Sequence, residues 1–371
     1  MPKLLYLVTE DWFFVSHFLP MARTARAAGF EVVVATRVRD HAGRIEAEGF
    51  RVVPLEGERR SVGLSEVLRG FVRIMRIVRI ERPDIVHCIA LRMVALGGLA
   101  AQLGGAKRLV LAPTGLGQLW SEDRLVNRIA RAVLRIIVGR VLNGRNTRYL
   151  FENSDDPGEF GLAGAAVTIV PGAGVDPDDF PRSPEPPAPP LKVAVVARMI
   201  EAKGIGDAVA AVQRARALGV PVELDLYGSP DRSNPRSCSE DDLKKWSDEP
   251  GIRWQGRTAD VADVWRTHHV AMLLTWYREG VPRALIEAAA CGRPIVTTDS
   301  PGCRDLVHDH QEGILVPLRD IEAAARALTE LAGDAALRIR LGAAAHERFE
   351  TRFTEAAVRQ AVASVYAAFR L

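Results

Sequence analysis

Cysteine is scarce in this chain: Cys88, Cys238, Cys291 and Cys303 are four among 371 residues. They form no Cys-x-x-Cys and no ligand-like spacing with the histidines, which argues against a zinc site or a disulfide framework and for free thiols in a reducing cytosol. Long apolar runs are missing as well, and nothing approaches the roughly 20 residues that a bilayer-spanning helix needs. The N-terminus, MPKLLYLVTEDWFF, has one short apolar run before Glu10 and Asp11 and reads as a strand, not as a signal peptide. Aromatics make up only 6% of the residues and do not interleave with the arginines, so a nucleic-acid surface is not expected. There is no convincing Asp-x-Asp metal site either: the run DPDD at 176–179 reads as a loop with turn chemistry, and no metal cofactor is expected. No internal repeat is visible.

What is present suits two soluble globular domains. The composition is 48% apolar and 26% charged, and the length allows two cores of ordinary size. Residues 1–150 hold 24 Lys+Arg and 13 Asp+Glu, a balance of 24 − 13 = +11, whereas the rest hold 25 and 33, a balance of −8. Such segregation points to an anionic partner for the first half. Short β-rich runs alternate with helical patterns throughout: KLLYLV, FEVVVATR, DIVHCIA and KRLVLAPTG early, then LKVAVVAR, VELDLYG, VAMLLT and PIVTT. That grammar predicts an α/β fold of two doubly wound parallel-sheet, Rossmann-like domains. We expect an N-terminal domain over 1–180, a Pro-rich connector over 181–190, a C-terminal domain over 191–350, and a terminal helix within 351–371 that packs back on the first domain. Ligands of such sheets bind at the carboxyl ends of the strands, so the two domains are expected to face each other across a cleft.

The stretch WYREGVPRALIEAAACG, residues 276–292, carries the clearest chemistry. Pro282 is placed as the first residue of a helix that Gly292 stops. The unpaired amides at that helix start, together with its dipole, make an anion site, and Gly280 lets backbone approach a ligand. Glu287, just over one turn in, is positioned to accept hydrogen bonds from a ribose diol, and Glu279 lies nearer whatever hangs from the anion. The helix itself offers one cation, Arg283. Arg198 and Lys203, in VVARMIEAKGIGD just past a buried-looking strand, can supply the pair that a diphosphate needs. Each of these residues has an ordinary structural reading, Glu287 as an i,i+4 partner of Arg283 among them; their joint placement at strand ends of one domain favours a site.

Together the Arg-x4-Lys-Gly of residues 198–204, the Glu-Gly-x-Pro of 279–282 and the second glutamate at 287 resemble the Glu-x7-Glu region of glycosyltransferase family 4, retaining enzymes of the GT-B architecture. The resemblance implies that Arg198 and Lys203 bind the donor diphosphate, that Glu287 holds the ribose, and that Glu279 contacts the donor sugar. The amides of Gly280, Val281 and Pro282's loop would take phosphate oxygens. The stretches TEDWFFVSHFLPMA and PTGLGQLW resemble the subgroup that builds bacterial exopolysaccharide, capsule and O-antigen units. That likeness implies a nucleotide-sugar donor, UDP- or GDP-linked, a polyprenyl-diphosphate-linked saccharide acceptor, and action without a metal. A nucleotide-sugar 2-epimerase of the same architecture and a non-catalytic sugar-nucleotide sensor are the alternatives.

In the N-terminal half, Asp11, His17, Thr114 and Gly115 follow strands at the ends where ligands bind, and are candidates for contacts to the acceptor or reacting sugar. One departure from the family pattern stands out. Many members carry a second histidine two residues after the first, but VHCIALR places Ile89 after His87. Arg124, Arg128, Arg131 and Arg135 recur on one face of a helix, opposite Leu125, Ile129, Val133 and Ile136; Arg69, Arg73 and Arg76 form a second stripe. Basic amphipathic helices favour anionic lipid at about 1 kcal/mol per cation, so the arginines at 124–135 are candidate membrane-facing residues. A solvated basic face with the apolar side in the core is the alternative. The expected location is cytoplasmic, peripheral on the inner face of the cell membrane.

Overall fold

The run Leu4–Val8 is apolar at every position, as a strand must be when both faces of its sheet are covered, and all five side chains are buried. The computed structural model describes residues 1–55, 64–231 and 234–369. They fall into two compact units, Met1–Gly174 with Glu355–Leu371, and Val175–Thr354. Among the described residues the first unit is built on a seven-stranded sheet: β1 (Lys3–Glu10), β2 (Glu31–Arg37), β3 (Arg51–Pro54), β4 (Ile85–Ile89), β5 (Leu109–Ala112), β6 (Thr147–Phe151) and β7 (Val167–Ile169). Its order is β3-β2-β1-β4-β5-β6-β7, every pairing is parallel, and Tyr6 stands beside His87 in the β1–β4 register.

The second unit repeats the plan with six strands among the described residues: β8 (Leu191–Val196), β9 (Val222–Tyr227), β10 (Ile252–Gly256), β11 (Val270–Leu273), β12 (Ile295–Thr298) and β13 (Gly313–Val316). The order is β10-β9-β8-β11-β12-β13, again parallel throughout. Helices cover the faces by the usual periodicity: Ile205, Ala208, Val209 and Val212 of the helix Ile205–Ala217 lie at i, i+3, i+4 and i+7 and are all buried on the sheet. The order therefore reverses between β1 and β4 in one unit and between β8 and β11 in the other. Those reversals are where such sheets open a crevice at the carboxyl ends of their strands.

The terminal helix Glu355–Ala367 belongs to the first unit and packs on the helix Leu19–Ala27, burying Val358, Val362 and Val365 from one face. Its Tyr366 hydroxyl lies 2.7 Å from the Tyr6 hydroxyl and 2.9 Å from His87 Nδ1. His87 is fully buried, and burial pushes its pKa down to about 3, so the ring is neutral and serves the core.

The proline-rich segment 181–190 lies in the second unit as a strap. Buried Arg293 reaches it with hydrogen bonds to the Ser183 carbonyl at 2.9 Å and the Pro184 carbonyl at 2.8 Å, and also donates to Trp265 O at 2.6 Å. His269 Nε2 donates to Pro186 O at 3.0 Å, and Arg338 Nε bonds Glu185 at 2.6 Å. Prolines bring carbonyl acceptors without amide donors, and the planar guanidinium fork of a buried arginine is well shaped to collect them.

Candidate functional site

At the reversal of the second sheet the loops after β8 and β11 are laced together. The Thr275 hydroxyl and the Trp276 amide both donate to the Ala202 carbonyl, at 3.1 and 3.2 Å. Gly204 makes this approach possible. Its φ is +69°, and a Cβ there would stand 2.0 Å from the Leu274 carbonyl oxygen, so only glycine fits. A second close approach joins the loop after β12, where a Cβ on Gly302, at φ +84°, would fall 2.1 Å from Gly280 O.

This lacing brings three of the expected residues, Arg198, Lys203 and Glu279, into two ion pairs at one end of the sheet. Lys203 Nζ bonds Glu279 Oε2, with each side chain 14% exposed. Arg198 donates to Asp231 Oδ2 at 2.7 Å. Asp231 had no sequence signal, because it lies 33 residues from its partner on the far side of β9. The helix Arg283–Ala290 begins one residue later than expected: Pro282 is its N-cap, not its first residue, and the Pro282 carbonyl takes the Leu285 and Ile286 amides at 3.0 and 3.3 Å. The Gly280–Pro282 loop leads directly into that start, and the amides ahead of Leu285 have no intrahelical acceptor. Gly292 closes the helix at φ +76°.

Glu287 is 7% exposed and accepts from Arg283 Nε at 2.8 Å, which is the i,i+4 pairing. Burial pushes its carboxyl above the usual range against the pull of Arg283, so the ionised form is held at a cost. A carboxylate in that condition gains from any hydroxyl donors brought to it. Two further residues, Arg319 after β13 and Asp207 in the first turn of the helix Ile205–Ala217, escaped sequence reasoning. The Arg319 guanidinium lies 4.4 Å from the Trp276 ring centroid, in a left-handed backbone at φ +59°. Asp207 has a buried Oδ2 without a hydrogen-bond partner among the described residues, and burial raises its pKa while Arg319 opposes that shift. Only a non-glycine residue at positive φ would have hinted at Arg319, and sequence does not reveal φ.

The first unit treats its candidates differently. Asp11 is fully buried, and its carboxylate accepts from the amides of Trp12 at 2.7 Å, Arg39 at 2.7 Å and His41 at 3.0 Å, which pins the turn after β2. His17 contacts Ser16 Oγ through Nδ1 at 2.6 Å and packs its ring 4.7 Å from that of Phe13. Thr114 and Gly115 form a half-buried turn after β5, with Gly115 at φ +112°. At the reversal between β1 and β4 stand the Glu10–Arg37 ion pair and Ala90, whose φ of +68° is unusual for a residue with a Cβ. Ile89 is buried in β4.

The helix Leu125–Ile136 carries the arginine stripe. Arg124 pairs with Glu122 at 3.2 Å, Arg131 with Asp123 at 2.9 Å and Arg135 with Glu159 at 2.6 Å; Arg128 has no ion pair among the described residues. The apolar side of this helix is not in the core: Leu125, Ile129, Val133 and Ile136 are exposed. In the second stripe, Arg73 donates to the Pro54 carbonyl at 3.0 Å. At 176–179 the Asp176 side chain accepts from the Asp178 amide at 3.1 Å, which is turn chemistry. Among the described residues no group of three or more His, Cys, Asp or Glu side chains gathers as a metal cluster would.

Comparison with known proteins bears on both units. Residues 3–147 match the family described as glycosyl transferase 4-like, and residues 190–334 match the one described as glycosyl transferases group 1. The N,N'-diacetylbacillosaminyl-diphospho-undecaprenol alpha-1,3-N-acetylgalactosaminyltransferase of Campylobacter jejuni is 21% identical over 344 residues, covering 88% of this chain and 89% of that protein. A putative colanic acid biosynthesis glycosyltransferase of Escherichia coli, WcaL, is 34% identical over 161 residues, which is 42% of this chain and 39% of that protein. Among solved structures, Anabaena HepE in complex with UDP and glucose matches 99% of this chain and 100% of its own with a TM-score of 0.75, at 15% identity, a likeness of fold.

Proposed function

Since the chain belongs to the glycosyltransferases of GT-B architecture, we propose that it moves a sugar from a nucleotide-sugar, UDP- or GDP-linked, to a hydroxyl of a polyprenyl-diphosphate-linked saccharide, with retention at the anomeric carbon. The observation that carries the reading is the convergence of Arg198, Lys203, Glu279 and the Gly280–Pro282 loop at the reversal of the second sheet. In this reading Arg198, Lys203 and the loop amides stabilise the charge that develops on the departing nucleoside diphosphate. The Glu279 carboxylate holds Lys203 in place and contacts the donor sugar, and Glu287 accepts the ribose hydroxyls. The bond from the anomeric carbon to the phosphate oxygen breaks as the acceptor oxygen bonds that carbon on the same face. The leaving phosphate can take the acceptor proton, so neither a separate base nor a metal ion is invoked. The lipid-linked acceptor is supported by the acceptor named for the Campylobacter relative. The reading places the protein peripherally on the inner face of the cell membrane; among the described residues no helix is long and apolar enough to cross one.

The test is a thermal-shift screen of the purified protein against UDP, GDP, ADP and their sugar conjugates, with and without magnesium. Ligand that binds only the folded state must raise the melting temperature with occupancy. The expected result is a shift with one nucleotide, unchanged by magnesium and lost in Glu287→Ala. No shift with any of them overturns the donor site. Product analysis without acceptor then separates transfer from epimerisation, since an epimerase converts the donor alone.

A further inference from the structure

The helix Leu125–Ile136 is the only part of the arginine-rich first half in which a whole apolar stripe of a described helix is left open. Leu125, Val126, Ile129, Val133 and Ile136 stand between 49 and 74% exposed, at steps that place them on one side, and the helix has no buried residue. It rests on the body through Leu134 and the following Ile137 instead. Soluble helices turn such a stripe into the core. Three of its four arginines are occupied by Glu122, Asp123 and Glu159 along one flank, which leaves the aliphatic side as the dominant feature of the surface.

We propose that this aliphatic face, and not the arginine stripe, is the attachment surface, lying flat in the interface of an anionic bilayer. The proposal rests on the reading of a lipid-linked acceptor and names how the enzyme reaches it. Charge selects the occupant. Exposed Arg128 flanks the apolar side, and past the helix Arg145 and Arg148 line, with Lys107 and Arg108, an open pocket of about 620 Å³ that has no acidic side chain in its wall. A second copy of this chain would bring the same cations against themselves, whereas acidic headgroups complement them. At 12 residues the helix is about 18 Å long, ample for in-plane seating of its five aliphatic side chains and far too short to span. Because the contact is mainly hydrophobic, it should survive salt that would strip a purely electrostatic one.

The experiment is co-sedimentation of the full chain with vesicles of phosphatidylglycerol and phosphatidylethanolamine, and of phosphatidylcholine alone, at about 0.1 and 0.5 M salt. Wild type should bind the anionic vesicles and keep part of that binding at the higher salt, since salt screens the cations but not the aliphatic contact. Val126→Ser, Ile129→Ser and Val133→Ser combined should weaken binding by more than roughly tenfold. Its melting temperature and its nucleotide response should stay as in wild type, because the altered side chains face out. Arg128→Gln alone should weaken binding by about fivefold. Wild type left in the supernatant, a triple variant that binds as well as wild type, or complete loss at high salt each overturns the proposal. So does a dimer in the absence of vesicles that the triple variant dissolves, which would assign the face to a second copy. Vesicle binding without any nucleotide response would support this face while counting against the donor site, so the two readings fail separately.

Discussion

The two units share one plan, a parallel sheet whose order reverses once near its middle, yet they use the strand ends at that reversal for different ends. In the second unit the loops after β8, β9 and β11 present Arg198, Lys203, Asp231 and Glu279 as side-chain pairs, with close approaches that only glycine at 204 and 302 allows. In the first unit the acidic groups at the same place are already committed. Asp11 serves three backbone amides, and Glu10 is closed on Arg37. A fold supplies the crevice, and the loop side chains decide whether it does chemistry or holds itself together.

The sharpest way to break this contrast is to cut one carboxylate or cation on each side and read activity and stability together. Lys203→Met should lower kcat/KM by about 10³-fold, as loss of a preorganised donor does. It should also destabilise the second unit by about 2 kcal/mol, because Glu279 is left poorly solvated without its partner. Asp11→Ala should do the reverse, costing about 3 kcal/mol from three orphaned amides while kcat/KM measured well below the melting temperature changes less than about threefold. Thermal melts alongside initial rates check both. If Asp11→Ala abolished turnover in a protein that stays folded, the first unit's reversal would be chemical after all.

Glu287 refines the contrast through pH. Its carboxyl is raised above the ordinary value of 4.5 by burial, with Arg283 opposing. The folded state therefore favours the protonated form: that contribution to stability is complete below about pH 4.5 and is lost as pH rises through the folded pKa. Glu287→Gln does not titrate, so its melting temperature should climb relative to wild type between about pH 4.5 and 8. Its KM for the donor should meanwhile rise roughly 10-fold as a ribose acceptor is lost. A variant less stable than wild type at pH 8 would mean that the Arg283 pair outweighs burial.

Asp225 is the structural counterpart in the same unit. Burial tends to raise its pKa, but His268, Arg253 and Gln255 hydrogen bonds overcome that and hold the carboxyl below its usual range. Its stabilisation is thus present above the ordinary carboxylate pKa and lost as pH falls through the folded one. Asp225→Asn should destabilise by about 1–2 kcal/mol at pH 7, and the gap from wild type should narrow in acid unfolding experiments. Donor KM should stay constant, which separates it from Glu287.

How far all this could be read from the chain depends on whether the signal is local. The strands were legible because runs such as VAVV in β8 and VAML in β11 are apolar at every position, as two-sided burial requires. Arg198, Lys203, Glu279 and Glu287 were legible as candidates because each lies at a fixed step from a strand end or helix start. Asp231 and Arg319 were not, since pairing across β9 and a left-handed backbone leave no trace in spacing. Periodicity also shows that residues 125–136 have an apolar side without saying whether it turns to the core or to solvent, and it turned out. The prolines of 181–190 suggested an extended connector because composition says nothing of a buried Arg293 gathering the Ser183 and Pro184 carbonyls.

The smallest expected effect tests whether the first unit's reversal stores strain for a purpose. Ala90 ends β4 at φ +68°, a conformation that costs a residue with a Cβ about 1 kcal/mol and costs glycine almost nothing. Its amide is held by the Ala112 carbonyl at 2.9 Å, and the chain turns at once into the π-helical segment Met93–Gly97. Ala90→Gly should therefore gain a few tenths of a kcal/mol, the relief of strain being partly offset by the greater freedom of glycine in the unfolded chain. If the variant melts slightly higher and turns over as wild type does, Ala90 is a packing compromise beside Leu91 and Met93. A variant that gains stability and loses more than about tenfold in kcat/KM would show instead that this strand end is held rigid for the reacting sugar, and the contrast between the two units would then be one of degree.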